Sequence, residues 1–376
     1  MRGDITNLWS AAAERPLLDV PIRIVHEPDR DWNYAHHPFL TRFRGRFYLF
    51  FSLGRHQEDD VGQRVMVTSS RDFETWTPPA ELARPEREET GVLIPAGTWA
   101  DEERLNAYVL CFDYKKEVLS GGRRRPGSAG RERWGYRCLT TADGQTFTEV
   151  PGPEAFGGNM PVRRLRSGRL FSCGGRTCAR TEDPRGLTGW QGADVFPEGW
   201  RSPEEEAEPR PLLPGEVSSR HVDLCEGSAI ELDDGKLLML LRSGTPWLWA
   251  SESADGGATW SLPERTAFTD NRTKFFLDRL PDGRYCYIGT PDPFPPRVRQ
   301  LLALSLSRDG KRYDRHFVLT DRQFKGRYPG LDKNGIYGYP TALVWEGTLY
   351  ITCSINKEMI AVMRLTLEAL GKGKEP

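Results

Sequence analysis

The chain has 376 residues, enough for one large domain or two ordinary ones. Hydrophobic residues make up 38% and aromatic residues 11%, which allows a sizeable core, and 38 glycines with 28 prolines favour turns and short strands over long helices. A formal net charge of −1 gives no global field toward nucleic acid or a membrane surface, so any recognition by charge is local.

The first residues, "MRGDITNLWSAAAERPLLD", carry acids and lack the apolar stretch of a signal peptide. No run of 18 apolar residues occurs, so no transmembrane helix is expected. The seven cysteines are an odd number, and Cys111, Cys138, Cys286 and Cys353 sit in apolar, strand-like runs. They read as buried free thiols of a cytoplasmic protein. Cys173 and Cys178 are close, but their spacing is not that of a zinc pair and no second pair completes a set. Two of the six histidines, His36 and His37, are adjacent in "WNYAHHPFLTRFRGRFYLFF", residues 32–51. No third ligand follows them at a zinc spacing, so neither a metal nor a cofactor is expected.

Apolar runs broken by a glycine turn recur along the chain. They begin with "FLTRFRGRFYLFFS" and continue through "VRRLRSGRLFSCGG", "AIELDDGKLLMLLRS", "FFLDRLPDGRYCYIG" and "TALVWEGTLYITCS". Alternation and turn chemistry make each a β-hairpin. A second pattern follows several of them: "SRDFETW" (70–76), "TADGQTF" (141–147), "SADGGATW" (253–260) and "SRDGKRY" (307–313). Each is a Ser or Thr, an Asp two residues on, and an aromatic four or five residues later. In such a tight turn the Asp accepts from turn amides, Gly supplies positive φ, and the aromatic packs between sheets. Hairpin plus flanking strands gives a four-stranded unit of roughly 60 residues, and six units start near residues 34, 91, 158, 224, 273 and 337. Four-stranded antiparallel units repeated radially predict an all-β, six-bladed β-propeller forming a single domain over 1–376. A strand at about 17–27 would close the ring, and residues 116–134 and 198–220 read as mobile loops.

In a propeller, first-strand entrances and second-to-third-strand loops share one face, and the Asp turns lie on the other. The expected mouth therefore gathers His36 and His37, then Arg55, Glu58, Asp59 and Asp60 from "LGRHQEDDVGQ", then Glu226, Arg242, Arg299, Tyr337 and Tyr339. Fully extended, His36 and His37 would point to opposite sides, one into the mouth and one between blades. Lys274 and Asn159 stand at other strand entrances, and Trp247 and Trp249 read as blade packing or a sugar-stacking wall.

The turn "SADGGATW" and its weaker copies resemble the Asp boxes (BNR repeats) of the sialidase-like propellers, and the resemblance covers about residues 34–355. It implies a glycoside hydrolase of a terminal, acidic sugar in an oligosaccharide. In that family an Arg-Ile-Pro triplet enters the first blade and an Asp acid follows in the next loop. Here "HHP" occupies the triplet, with His36 where the first arginine would be, and Asp60 matches the acid. "EGSAIELDDGKLLMLLRSG" is similar to the segment with the paired Glu and second Arg, giving Glu226 and Arg242. Arg299 in "RQLLALSLSRDG" matches the third arginine, and Tyr339 in "YPTALVWEGTLYI" the nucleophile. The resemblance implies that Glu226 takes the proton of Tyr339 and that Asp60 serves as acid, then base. Arg242 and Arg299 would bind the substrate's anion, with Arg55, Asp59, His37 and Tyr337 lining the site. Loss of the first arginine points away from sialidase activity itself. The first-blade stretch is also similar to propeller lyases and rhamnosidases that act beside uronic acids, so a uronate-directed lyase is the alternative. A non-catalytic glycan-binding propeller is a third.

Overall fold

The computed structural model describes residues 2–120, 123–124, 130–202 and 222–371. Among these the regular structure is all β apart from three short 3-10 turns. Four four-stranded antiparallel sheets stand out. The first runs Tyr34–Phe43, Arg46–Gly54, Arg64–Ser70, Ala80–Ala83. The second has Gly91–Ala100, Leu105–Tyr114, Arg131–Thr141 and Thr148–Pro151, and the third Arg163–Arg164, Leu170–Cys173, Thr177–Thr181 and Gln191–Asp194. The fourth takes Tyr337–Trp345, Thr348–Ile355 and Met359–Thr366 from the end of the chain and Arg23–His26 from its beginning. That early strand pairs antiparallel with Met359–Thr366.

Residues 227–320 supply eight strands of a nine-stranded sheet. Gly227–Glu231, Leu237–Leu241, Trp247–Ser253 and Glu264–Thr269 make one side, and Phe276–Arg279, Tyr285–Gly289, Leu302–Ser307 and Arg312–Thr320 the other. Between them lies Arg2–Asn7, which the sequence reading left unassigned. It is parallel to both outer strands. A small two-stranded ladder joins Leu119–Ser120 to Arg123–Arg124. The expected loop at 116–134 is in part strand, because Arg131–Thr141 starts inside it. The rest of that loop's centre, and most of the loop at 198–220, lie outside the described residues.

Inner strands are apolar on both faces because each sheet packs on two neighbours. Leu237–Leu241 is buried at every position. The aromatics of the Asp turns contribute here. Phe73 sits edge-on to Phe47 and Tyr350, at 5.0 and 4.7 Å between ring centroids, and Tyr313 packs on Phe268 at 5.2 Å. In each turn the Asp accepts two backbone amides. Asp72 takes Glu74 and Thr75, Asp143 takes Gln145 and Thr146, Asp255 takes Ala258 and Thr259, and Asp309 takes Lys311 and Arg312. The residue after the Asp has positive φ, supplied by Gly144, Gly256 and Gly310, but in the first copy by Phe73 at 65°. A left-handed side chain costs about 1–2 kcal/mol, offset here by burial of the ring. The third sheet hides a fifth turn. Asp183 accepts from Arg185, Leu187 and Thr188, with Thr181 before it and Trp190 after it. Its longer loop places the aromatic seven residues from the Asp, beyond the four or five of the other copies.

Candidate active site

The Asp turns end third strands, whereas His36, Glu58, Glu226, Lys274, Tyr339 and Lys357 come from first-strand entrances and second-to-third-strand connections. These six therefore meet at the other end of the sheets. Where the first strands finish, at the opposite end of the sheets, a cavity of about 470 Å³ is lined by residues including Leu40, Arg163, Arg166 and Asp278. It carries the Arg163–Asp278 ion pair and none of the six.

Glu226 and Arg242 are the next cross-strand neighbours beyond the pair Gly227–Leu241, and the Arg242 amide donates to the Glu226 carbonyl at 2.7 Å. Register alone sets carboxylate beside guanidinium. Arg242 donates to Oε2 of Glu226, and the Tyr339 hydroxyl donates to Oε1 in a short hydrogen bond. Burial by itself would raise the Glu226 carboxyl. The Arg242 charge, the phenol hydrogen bond and Lys274 outweigh it and hold the group at about 2. Burial and the adjacent Glu226 charge push the Tyr339 phenol well above its usual range. The phenol is a proton donor to an ionised carboxylate, the arrangement a tyrosine nucleophile needs.

The His37 and Tyr339 rings are both aimed by bulges. Pairing of Tyr34–Phe43 with Arg46–Gly54 slips by one residue between His36 and Phe39, and pairing of Tyr337–Trp345 with Thr348–Ile355 slips between Gly338 and Thr341. His37 and Tyr339 take positive φ, 55° and 56°, each before a proline. The bulge overturns the expectation that the two histidines diverge. Their rings lie 4.5 Å apart, and Tyr339 lies 4.0 Å from His36 and 5.1 Å from His37. Both imidazoles are buried. Burial, with the neighbouring positive charges, lowers His36 far below its usual range and His37 to about 3.

Cations crowd the same space. Lys274 is fully buried, its Nζ 5.0 Å from the Tyr339 ring and 4.8 Å from Phe39, with no hydrogen-bond partner among the described residues. Burial lowers it to about 8. Arg299 is 2% exposed, and its Nε and Nη1 likewise lack partners among the described residues. Burial and the like charge of Arg242 bring it to about 10. Lys357, which the sequence reading missed, is ion-paired to Glu58. It lies in the turn between the second and third strands of the last hairpin, the position Glu58 holds in the first sheet, so strand counting could have found it.

The loop carrying the expected acid presents Glu58, whose Oε1 is 3.9 Å from His36 Nε2 and 3.8 Å from His37 Nε2. Asp60 is 2% exposed. Asp59 turns to Arg131, at 2.7 Å. Arg55 is exposed and its guanidinium is taken up over the Trp32 ring at 4.7 Å. Tyr337 is a core residue, donating to the Arg322 carbonyl at 2.7 Å and packing on Phe324. The expectations that Arg55 and Tyr337 line the mouth are therefore corrected.

The histidines do gain a third metal-type ligand through the fold. One ligand atom each of His36, His37 and Glu58 lie within 4.8 Å of one another. Tetrahedral zinc ligands at ~2.0–2.1 Å would stand roughly 3.3 Å apart, closer than the 3.8 and 3.9 Å found. The surrounding cations oppose a further positive charge.

Comparison with known proteins agrees with this architecture. A BNR repeat-like domain matches residues 176–351. A Dyadobacter fermentans protein of unknown function is similar at 15% identity and TM-score 0.63, over 92% of this chain and 99% of that one. Trypanosoma rangeli sialidase in complex with the inhibitor DANA is similar at 15% identity and TM-score 0.61, over 92% of this chain and 60% of that one. Hadza microbial sialidase Hz136 gives 14% identity and TM-score 0.61, over 89% and 66%. No curated protein matches the chain. At these identities the likeness shows the fold alone, and the chain spans about 60% of the trypanosomal sialidase. Repeated Asp turns, successive four-stranded antiparallel sheets and the BNR match together show that this chain has the fold of the sialidase-like β-propellers.

Proposed function

We propose that the protein is a glycoside hydrolase that removes a terminal acidic sugar other than sialic acid from an oligosaccharide. The observation that carries this is the largely buried chain Tyr339–Glu226–Arg242 beside Lys274 Nζ and Arg299 Nε and Nη1, which have no hydrogen-bond partner among the described residues. A tyrosine nucleophile suits a substrate that itself bears a negative charge, since a carboxylate nucleophile would repel it. Glu226 takes the phenol proton as the C–O bond forms, and Asp60 is the proton donor to the leaving oxygen and then the base for water. Arg299, Arg242 and Lys274 neutralise the substrate's anion. Neutral His36 in place of a guanidinium leaves the clamp without its first fork donor, which supports a substrate other than sialic acid. The nine-stranded sheet is read as two four-stranded blades bridged at their outer edges by Arg2–Asn7, which gives six blades in all. The seven free cysteines fit a cytoplasmic setting.

A second reading, β-elimination beside a uronate, is favoured by one observation. The neutral His36 ring lies 4.0 Å from Tyr339, so a base and a phenol acid stand together. The two readings part on product chemistry, since elimination creates a double bond absorbing near 232 nm and hydrolysis does not. On a turned-over substrate, Tyr339→Phe and Asp60→Asn are each expected to lower kcat by at least ~10²-fold. Full turnover in both variants would refute the hydrolase mechanism, and glycan binding without turnover by the parent would make the protein a binding module.

A further inference from the structure

The hydrogen-bond network fixes what the His36–His37–Glu58 cluster can receive. Ser354 Oγ donates to the Gly338 carbonyl at 3.2 Å, so its single proton is committed. With the Ser354 proton assigned to that carbonyl, His36 Nδ1, 2.6 Å from the same oxygen, is the N–H, and His36 Nε2 carries a lone pair. That nitrogen is buried and has no hydrogen-bond partner among the described residues. On the other side, Ser52 Oγ accepts the Gln63 amide at 3.4 Å and lies 3.1 Å from His37 Nδ1, which among the described residues is the acceptor available to its hydroxyl proton, and the proton is assigned there. His37 Nε2 is therefore the N–H. Two acceptors, His36 Nε2 and Glu58 Oε1, and one donor, His37 Nε2, face a common space, with separations of 3.8 and 3.9 Å to the carboxylate oxygen.

This pattern selects against a metal ion. A metal would need His37 to give up its Nε2 proton, would need the ligands to close by about half an ångström, and would add charge among Lys274, Arg299 and Lys357. A buried acceptor without a donor is costly, and the group that meets these demands is neutral and carries O–H. One hydroxyl can donate to His36 while accepting from His37, and a neighbouring hydroxyl can donate to Glu58. We infer that His36, His37 and Glu58 form a hydroxyl-recognition pocket that selects an acidic sugar with adjacent free hydroxyl groups, as in a hexuronic acid. The inference rests on the acidic-sugar reading and names the sugar class. The Tyr339 ring, in contact with both imidazoles, places these hydroxyls next to the reacting carbon.

The test is calorimetric titration of the full chain with methyl glucuronide, methyl galacturonide, their O-methylated ethers and zinc chloride, for the parent and His36→Phe. A free uronide is expected to bind the parent at least ~10-fold more tightly than its ether, and His36→Phe to erase that difference while keeping the weaker affinity. Equal affinity for free and methylated uronides in the parent overturns the inference and leaves the acidic-sugar reading standing. Failure of every uronide to bind the parent overturns both. Micromolar zinc affinity that His36→Phe abolishes would make the cluster a metal site. Should His36→Phe not fold, Glu58→Gln carries the same comparison, with selectivity for the free uronide reduced in the same direction.

Discussion

Replacing Glu226 by Gln probes the electrostatics on which the site depends. Gln has the shape of the protonated acid, so the variant measures what the charge contributes. Glu226 is 16% exposed and its carboxyl is held at about 2, well below the usual carboxylate range. The sign follows from linkage. A carboxylate depressed in the folded state adds stability that is complete above its unfolded value and disappears as pH falls toward the folded one. The shift corresponds to about 3 kcal/mol at pH 7 and to about half of that at pH 3. Loss of a buried partner for Arg242 belongs to the same range, ~3–5 kcal/mol. Urea unfolding of parent and Glu226→Gln at pH 7 and pH 3 should show a large destabilisation at neutral pH that shrinks by about half in acid. The same deficit at both pH values would refute the claim that ionised Glu226 bonded to Arg242 and Tyr339 is the source. Restoration by adding Arg242→Met would support it, because the double change removes the stranded guanidinium as well.

Two further outcomes are expected. Lys274→Met should be at least as stable as the parent at pH 7, since a fully buried ammonium is removed, yet should raise KM for an anionic substrate roughly tenfold. Substrate affinity of the parent should also fall as pH rises through about 8, where Lys274 loses its proton, and the variant should lack that step. Asp255→Ala, on the opposite end of the sheets, should cost about 1–2 kcal/mol in thermal unfolding through its lost turn hydrogen bonds and leave kcat and KM unchanged. A change in kcat there would contradict the separation of turns from site.

Much of this arrangement is legible in the sequence because β-architecture repeats. The alternation of apolar runs and glycine turns marks the hairpins, and strand counting alone brings Glu226, Arg242, Arg299 and Tyr339 to one end although they lie up to 113 residues apart. What strand counting cannot show is where the ladder slips. One extra residue at His37 and one at Tyr339 rotate those rings into the mouth, and no local signal beyond the following proline announces it. The Glu58–Asp60 run illustrates a second limit. Three consecutive acids look equivalent, but Lys357, 299 residues away, engages Glu58, and Arg131 draws Asp59 aside. The strand Arg2–Asn7 is hidden for a third reason. It pairs parallel between two sheets, so its partners lie more than 250 residues downstream, and a polar, six-residue segment gives no periodicity of its own.

The central claim, that Tyr339 is a nucleophile served by Glu226, is tested most directly by trapping. The parent would be incubated with a fluorinated glycosyl fluoride of a hexuronic acid, digested, and read by peptide mass spectrometry. The account predicts one sugar attached to the peptide containing Tyr339, absent in Tyr339→Phe and slowed in Glu226→Gln. Turnover of a natural uronide by the parent with no adduct on Tyr339, and an undiminished rate in Tyr339→Phe, would contradict it.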